Sequence, residues 1–421
     1  MSTDVDVVVC GAGVAGLAAA HALGGLGLRV LVLDKQREIR AVPKGELLQP
    51  GATDVLADWG VADELAADGA LRLSGLVARD PHGAPLMTMD YGALPTERPW
   101  LLVHDYHVIL GALSRTLPAS VELRRGVLVR GLVRDEHGRT TGVRTDGGNL
   151  TAALVVAADG VSSRLRRDAG IEIARADYAH RLAAFELADQ APGEHVSTYA
   201  TPRGLAMRYS LPGGRARLYV QVGPDELRGV DAGAAGGWID GLVRDVPAFA
   251  PLREDVDRAW STRQVLPVGR ALAASLTADG VVLIGESAHA VHPAAGQGMN
   301  SSILDAASLA SRLRALDGDL APDLLAPRLR EWSTERRRAL THVGTTSHNA
   351  TRMISDLSPF IRVLGRRALR MTGGNRRLRY TIMHNMAGLG QHPLTPLDRL
   401  HQLGVLPDPR GGRLPGWARS R

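Results

Sequence analysis

Cysteine is almost absent from this 421-residue chain, where Cys10 stands alone. An intrachain disulfide is excluded, and the composition points to a reducing compartment. Aromatic residues make up only 4%. No apolar run approaches the ~18 residues needed to span a bilayer. The first strand begins almost at the N-terminus and leaves no place for a signal peptide, so a cytoplasmic protein is expected. Blocks of single-sign charge are missing too. The formal net charge is +6, but the excess is mainly Arg dispersed along the chain, with no Lys-rich tract and little aromatic interleaving. Nucleic-acid binding is not expected from that pattern; a diffusely basic surface suits an anionic cofactor or substrate. Apolar residues are plentiful at 45%, enough for sizeable cores in a chain long enough for two or three domains.

The chain is organised around residues 5–34. Val5 to Cys10 is a continuous apolar run interrupted only by Asp6, the pattern of a buried parallel strand. Gly11-Ala12-Gly13-Val14-Ala15-Gly16 follows at once as G-x-G-x-x-G, then an Ala- and Leu-rich helix, then a second strand ending at Asp34 and Lys35. Each glycine has a separate task. Gly11 permits the tight turn, Gly13 lets the backbone approach a pyrophosphate, and Gly16 lets helix and strand pack closely. Phosphates favour the helix N-terminus, where unpaired N–H groups and the dipole attract negative charge. Asp34, about 20 residues further on, is placed for an adenosine ribose hydroxyl. The glycines alone are a weak signal; strand, turn, helix, strand and acidic end together predict a dinucleotide-binding unit.

Beyond Asp34, residues 35–48 read as a loop, and 52–67 as helical. Residues 71–89 alternate about Pro81-His82-Gly83 and predict a hairpin. Strands are expected at 121–133 and 141–144 and at 154–158, the last ending in Asp159-Gly160. Between about 170 and 267 short alternating segments separated by turns such as Pro212-Gly213-Gly214 predict an antiparallel sheet. Residues 280–284 return to the parallel-strand pattern, and 298–317 and 326–345 are helical. The fold expected is α/β: a Rossmann-like three-layer dinucleotide-binding domain (1–75, 100–169 and 276–345), an inserted antiparallel-sheet substrate domain (76–99 and 170–275), and a C-terminal helical segment (346–421). Within that segment, 353–379 reads as a basic amphipathic helix, broken at Gly373-Gly374, with the two readings of weak membrane-surface contact or packing on the core. The prolines after 393 suggest an irregular end.

A third stretch follows the later strand: Gly285-Glu286, then Pro293-Ala294-Ala295-Gly296-Gln297-Gly298-Met299-Asn300 and a helix through Asp305. With Gly11 to Gly16, and with Asp159-Gly160 followed by Ser163 and Arg166, it resembles the p-hydroxybenzoate-hydroxylase-like FAD monooxygenases over roughly residues 5–345. Gly45 to Gly51 is similar to a stretch of squalene epoxidases and related hydroxylases.

The resemblance implies FAD as cofactor and NAD(P)H as co-substrate. It implies hydroxylation or epoxidation of an aromatic, polycyclic or isoprenoid small molecule through a flavin C4a-hydroperoxide. Gly11, Gly13, Val14, Ala15, Gly16, Asp34 and Lys35 would hold the adenosine and pyrophosphate. Lys44 stands where the family commonly has a flavin-contacting Arg, losing the bidentate fork, and Glu286 where it usually has Asp. Tyr106, Asp159, Gly160 and Gly285 would also contact FAD. Pro293, Gly296 and Gly298 would lie at the reacting ring, with Met299 and Asn300 at a helix start that stabilises reduced flavin.

Substrate candidates on the inserted sheet are Arg208, Tyr209, Tyr219 and Gln221, with Met207 and Tyr209 on one face or Arg208 on the other. No metal site is expected, since His289 and His292 lack further ligands. The other readings are an FAD-dependent reductase of the geranylgeranyl-reductase kind and a flavin-binding protein without turnover. The W-x-W-x-I-P stretch of flavin halogenases is missing.

Overall fold

The computed structural model describes residues 3–42, 44–231 and 233–418. The expected parallel core is built from Val5–Cys10, which pairs in parallel with Val30–Asp34 on one side and Gly148–Ala157 on the other. Val121–Arg125 and Val281–Leu283 extend it, again in parallel. An antiparallel ribbon, Val129–Arg134 and Thr140–Thr145, grows from the start of the Gly148–Ala157 strand. Residues Val7 to Val9 are fully buried, as a strand covered on both faces must be. The helices Val14–Gly24 and Gln297–Leu313 pack against each other, joining the two glycine-rich turns although nearly three hundred residues separate them.

A second eight-stranded sheet runs in the order His289–Ala290, Gln264–Ala273, Ile173–Leu187, Arg215–Val222, Gly204–Leu211, His195–Thr201, Gly75–Arg79, Pro85–Asp90. Its two faces have different partners. Phe185, Leu218, Ala206 and Val220 pack under the helices around Ile239 and Trp260. Leu182, Leu205, Met207, Tyr209 and Tyr219 face the opposite way.

Several local expectations are corrected. Only Gly75–Arg79 and Pro85–Asp90 form the hairpin around Pro81-His82-Gly83. Leu71–Leu73 instead joins Leu47–Leu48 and Leu101–Val103 in a small third sheet. Residues 121–133 are two strands, because Gly126 turns the chain at φ +78°. The 326–345 helix is longer, Pro322–Ser355. The basic tail is two helices, Pro359–Gly374 and Arg376–Met386, divided at Asn375, whose side chain caps the second. The proline-rich end is not wholly irregular. Thr395 and Asp398 form a capping box that starts Pro396–Gln402, the reciprocal satisfaction of two otherwise orphan N–H groups.

Candidate active site

The first turn is as tight as its glycines require. Gly11 has φ +109°, and a Cβ there would lie 2.4 Å from the Ala158 carbonyl oxygen. A Cβ at Gly16 would fall 1.7 Å from the Gly11 carbonyl oxygen, so helix and strand can approach only through glycine. Gly13 differs. A Cβ there would meet nothing closer than the Tyr106 hydroxyl at 3.6 Å, so the protein leaves that space open. Asp34 braces the turn: its carboxylate accepts from the Ala12 N–H at 2.5 Å and the Gln36 N–H at 2.6 Å, one bond per oxygen. Each oxygen keeps a further lone pair for another donor.

One cavity of ≈ 760 Å³ begins here and runs to the second sheet. Gly11, Gly13, Val14, Ala15, Asp34, Lys35, Lys44, Tyr106, Asp159, Gly160 and Glu286 line it. So do Pro293, Gly296, Gly298 and Met299 from the late glycine-rich turn, and Met207, Tyr209 and Tyr219 from the sheet. Lys44 Nζ bonds Glu286 Oε2 at 2.8 Å, a half-exposed pair worth at most about 1 kcal/mol, so either group is readily available to a ligand. The Asp159 carboxylate accepts from Ser163 Oγ and from the N–H groups of Arg164 and Leu165, fixing the loop that ends at Gly160.

At the far end the cross-strand register brings Glu186, Arg217 and Tyr209 into one row and Ala184, Tyr219 and Met207 into the next. Buried Glu46 reaches into that row. It accepts from Arg217 Nη2 at 2.6 Å and from the Tyr209 hydroxyl at 2.7 Å. Charge-assisted, forked contacts of this kind hold orientation as well as energy.

A family model described as FAD binding domain matches residues 4–343. The chain belongs to the p-hydroxybenzoate-hydroxylase-like FAD monooxygenases. This monooxygenase is 32% identical over 349 residues to 3-amino-4-hydroxybenzoate 2-monooxygenase of Streptomyces cremeus, spanning 75% of this chain and 80% of that one. It is 29% identical over 361 residues to 6-methylpretetramide 4-monooxygenase of Streptomyces rimosus, spanning 81% and 82%. Among solved structures, Pseudomonas aeruginosa PqsL in complex with 2-aminobenzoylacetate aligns at a TM-score of 0.76 and 27% identity, over 85% of this chain and 99% of that one.

The monooxygenase binds FAD, and the cradle fits it. Beyond the opening at Gly13, Cβ atoms at Gly160 and Gly298 would meet nothing within 4 Å. Gln297, Gly298 and Met299, at the N-terminal end of a 17-residue helix, line the same cavity, and such an end offers unpaired N–H groups to negative charge.

Five residues named from the sequence do not line the cavity. Gly16 packs on Gly11, and Gly285 lies against Ala15 and Ser302. Asn300 is turned inward: its amide donates to the Leu47 carbonyl at 3.0 Å and its carbonyl accepts from Gln49 N–H at 2.7 Å, clamping residues 47–49 to the helix start. Arg208 is on the opposite sheet face, donating to Gln190 at 3.0 Å, because odd and even positions of a strand face apart. Gln221 shares the Tyr219 face, but its amide is used by the Leu205 N–H and the Ser355 carbonyl. Glu46 and Arg217 went unrecognised; a charged residue in the apolar Gly45–Leu48 stretch was the only signal.

His289 and His292 do not form a pair. His289 bonds Asp305 at 2.7 Å. His292 Nε2 lies 3.0 Å from His180 Nε2, and its Nδ1 accepts from the Ala294 N–H, so it seats the Pro293–Gly298 turn. Burial and then the neighbouring His180 and His348 push His292 down to about 3 from an ordinary 6.5. Burial lowers His180 and His348 as well, and Arg270 and Arg352 face His348. A histidine depressed in the folded state binds its proton more readily unfolded. Its stability contribution is therefore full above about 6.5 and is lost as pH falls toward 3. Urea midpoints are expected to fall between pH 7.5 and 4.5. His292→Asn, which can still accept from Ala294, is expected to flatten that slope, by up to about 1.4 kcal/mol per pH unit.

Proposed function

We propose that the enzyme hydroxylates an aromatic small molecule held between the second sheet and the flavin, using NAD(P)H and O2. The observation that carries this reading is the continuity of one cavity from the open space at Gly13 to the Met207, Tyr209 and Tyr219 wall. FAD, reduced by NAD(P)H, supplies the electrons and the activation of oxygen. The protein's part is placement and shielding. Asp34 and Gly13 anchor the nucleotide end. The start of the Gln297–Leu313 helix lends N–H groups to negative charge at the opposite end. Leu47, Leu182 and Met207 close the far chamber with apolar surface, which keeps water from the reacting centre. No nucleophilic side chain is required. By its name the Streptomyces cremeus relative acts on 3-amino-4-hydroxybenzoate, a hydroxylated and amino-substituted ring, which supports an aromatic substrate here.

The test is NAD(P)H oxidation by the FAD-loaded enzyme against a panel of phenols, anilines and polycyclic aromatics under 18O2. One labelled oxygen atom per product and per NAD(P)H is expected. Product without label would favour a reductase, and no stimulated NAD(P)H oxidation by any ligand would favour a flavin carrier.

Among the described residues no helix is long and apolar enough to cross a membrane. Contact with a membrane surface would run through the Pro359–Gly374 helix, where Phe360 and Val363 are exposed. Four of the tail arginines are already committed elsewhere: Arg362 to the Pro202 carbonyl, Arg367 to the Leu403 and Gly404 carbonyls, Arg377 to Asp398 and Asp408, and Arg379 to the Gly373 carbonyl.

A further inference from the structure

The net charge of the chain is far less dispersed than its arginines. Residues 357–421 hold 12 Arg, no Lys, 2 Asp and no Glu, a formal +10. The whole chain is +6, so residues 1–356 carry −4. Such asymmetry between parts of a chain points to a charged partner. Hydrogen bonding does not cancel it. Arg362, Arg367 and Arg379 donate to backbone carbonyls, which leaves their charge whole. The two aspartates, Asp398 and Asp408, both pair with Arg377. Arg366 and Arg370 have no carboxylate partner among the described residues.

The same segment collects the exposed apolar side chains. Of the eleven large ones among the described residues, eight lie at or beyond Leu357. On the helix Pro359–Gly374 small and large residues have changed places. Gly365, Ala368 and Thr372, with Leu369, form its buried side. A Cβ at Gly365 would fall 2.0 Å from the Met353 carbonyl oxygen, so the helix lies flush on the one before it. Phe360, Val363, Arg367, Arg370 and Met371 share the opposite side at i, i+3, i+7, i+10 and i+11. All five are exposed, Phe360 at 74% and Val363 at 67%. The chain's end extends that side. Arg367 donates to the Leu403 and Gly404 carbonyls at 2.9 and 3.1 Å, and a Cβ at Gly404 would lie 3.1 Å from Met371 Cγ. The exposed Leu400, Val405 and Leu406 are thereby held next to the same helix.

We propose that this face docks the enzyme on a bilayer surface rich in anionic phospholipid. Phe360, Val363 and Val405 enter the headgroup boundary, and Arg366 and Arg370 beside them meet the phosphates. The proposal gives the membrane contact named above a single surface and one kind of lipid, and is independent of the aromatic-hydroxylation reading. Basic amphipathic helices lie in the interface in this way, with Arg stems along the apolar side and guanidinium groups at the headgroups. A second copy of the chain fits less well. A two-fold pairing of this face would set like charges against their own equivalents, and the sequence has no acidic residue between Asp356 and Asp398 to separate them. A nucleic acid would use the charge but leave the aliphatic side chains uncovered.

Co-sedimentation of the full-length, FAD-loaded enzyme with vesicles tests it. Vesicles of equal parts phosphatidylglycerol and phosphatidylcholine are expected to bind at least about tenfold more tightly than phosphatidylcholine alone, and binding should weaken in about 0.5 M NaCl. Phe360→Ser with Val363→Ser should lower affinity for the mixed vesicles at least about tenfold. Flavin absorbance and the melting curve should stay unchanged, because both side chains face solvent. Arg366→Gln with Arg370→Gln should lower affinity about fivefold per residue and flatten the salt dependence. No binding to the mixed vesicles overturns the inference, as does equal binding to both kinds. Binding that the double serine variant keeps in full also overturns it, since that would be adsorption by charge alone. A dimer in sedimentation velocity that the serine variant abolishes would assign the face to a second copy and overturn it too. Hydroxylation measured without vesicles is untouched by any of these outcomes, so the aromatic reading stands or falls separately.

Discussion

Gly13→Asp is expected to give a folded, colourless protein. The backbone there is extended (φ −76°, ψ −179°), which any residue adopts, and a Cβ has room beside Tyr106. The substitution therefore costs the protein alone little. Its effect falls on the cofactor. A carboxylate about 4 Å from a single phosphate charge is unfavourable by about 4 kcal/mol at the effective dielectric of a protein surface. That corresponds to roughly a thousandfold loss in FAD affinity. Visible absorbance after purification and FAD titration of the apoprotein are the measurements, with Gly13→Ala as the comparison that adds bulk without charge. A yellow, flavin-loaded Gly13→Asp protein with an unchanged melting curve would show that the phosphates bind elsewhere.

The second large effect is expected at Asp305, 1% exposed on the Gln297–Leu313 helix. It accepts from the Gly285 N–H at 2.9 Å, His289 Nε2 at 2.7 Å and Arg336 Nε at 2.6 Å. Burial opposes its charge, but His289 and Arg336 outweigh that and hold its carboxyl well below the usual carboxylate range. Asp305→Ala removes the common acceptor and leaves the Arg336 charge, 10% exposed, without its partner. Breaking a buried pair from one side typically costs about 3–5 kcal/mol. A urea midpoint lowered to match is expected. Flavin affinity should fall as well, because the Gly285-Glu286 turn loses its anchor. Adding Arg336→Met should recover much of the stability without restoring the turn. An Asp305→Ala protein as stable as the wild type would mean that the three donors find other acceptors.

Both predictions concern turns whose importance could be read before any coordinates. The G-x-G-x-x-G run, the apolar strands on either side of it and the late Pro293–Asn300 stretch are local patterns. Their meaning lies in backbone geometry and periodicity carried within about thirty residues. The same holds for the alternating strands of the second sheet and for the hairpin at Pro81-His82-Gly83. Where local reading failed, a distant partner had decided the outcome. Leu71-Arg72-Leu73 alternates just as the strand after it does, with nothing of its own to select a sheet, and Leu101–Val103 captures it. Asn300 looked like a cofactor ligand because it opens a helix beside a glycine-rich turn. Its amide is instead used by Leu47 and Gln49, 251 or more residues away.

The sequence alone determined that the chain binds a dinucleotide, because phosphate cradles are made by short runs of glycine next to a strand and a helix; FAD and its chemistry followed from the family resemblance that three such stretches carry together. Only the tertiary structure decided what the far chamber is. Alternation along Gly204–Leu211 leaves two faces equally open. The register against Arg215–Val222 and the covering of the other face by the Trp260 helices turn Tyr209 and Tyr219 toward the cavity and Arg208 away. Glu46 acquires its meaning only there, since a carboxylate can be buried only where Arg217, far along the chain and on another element, arrives to pair with it.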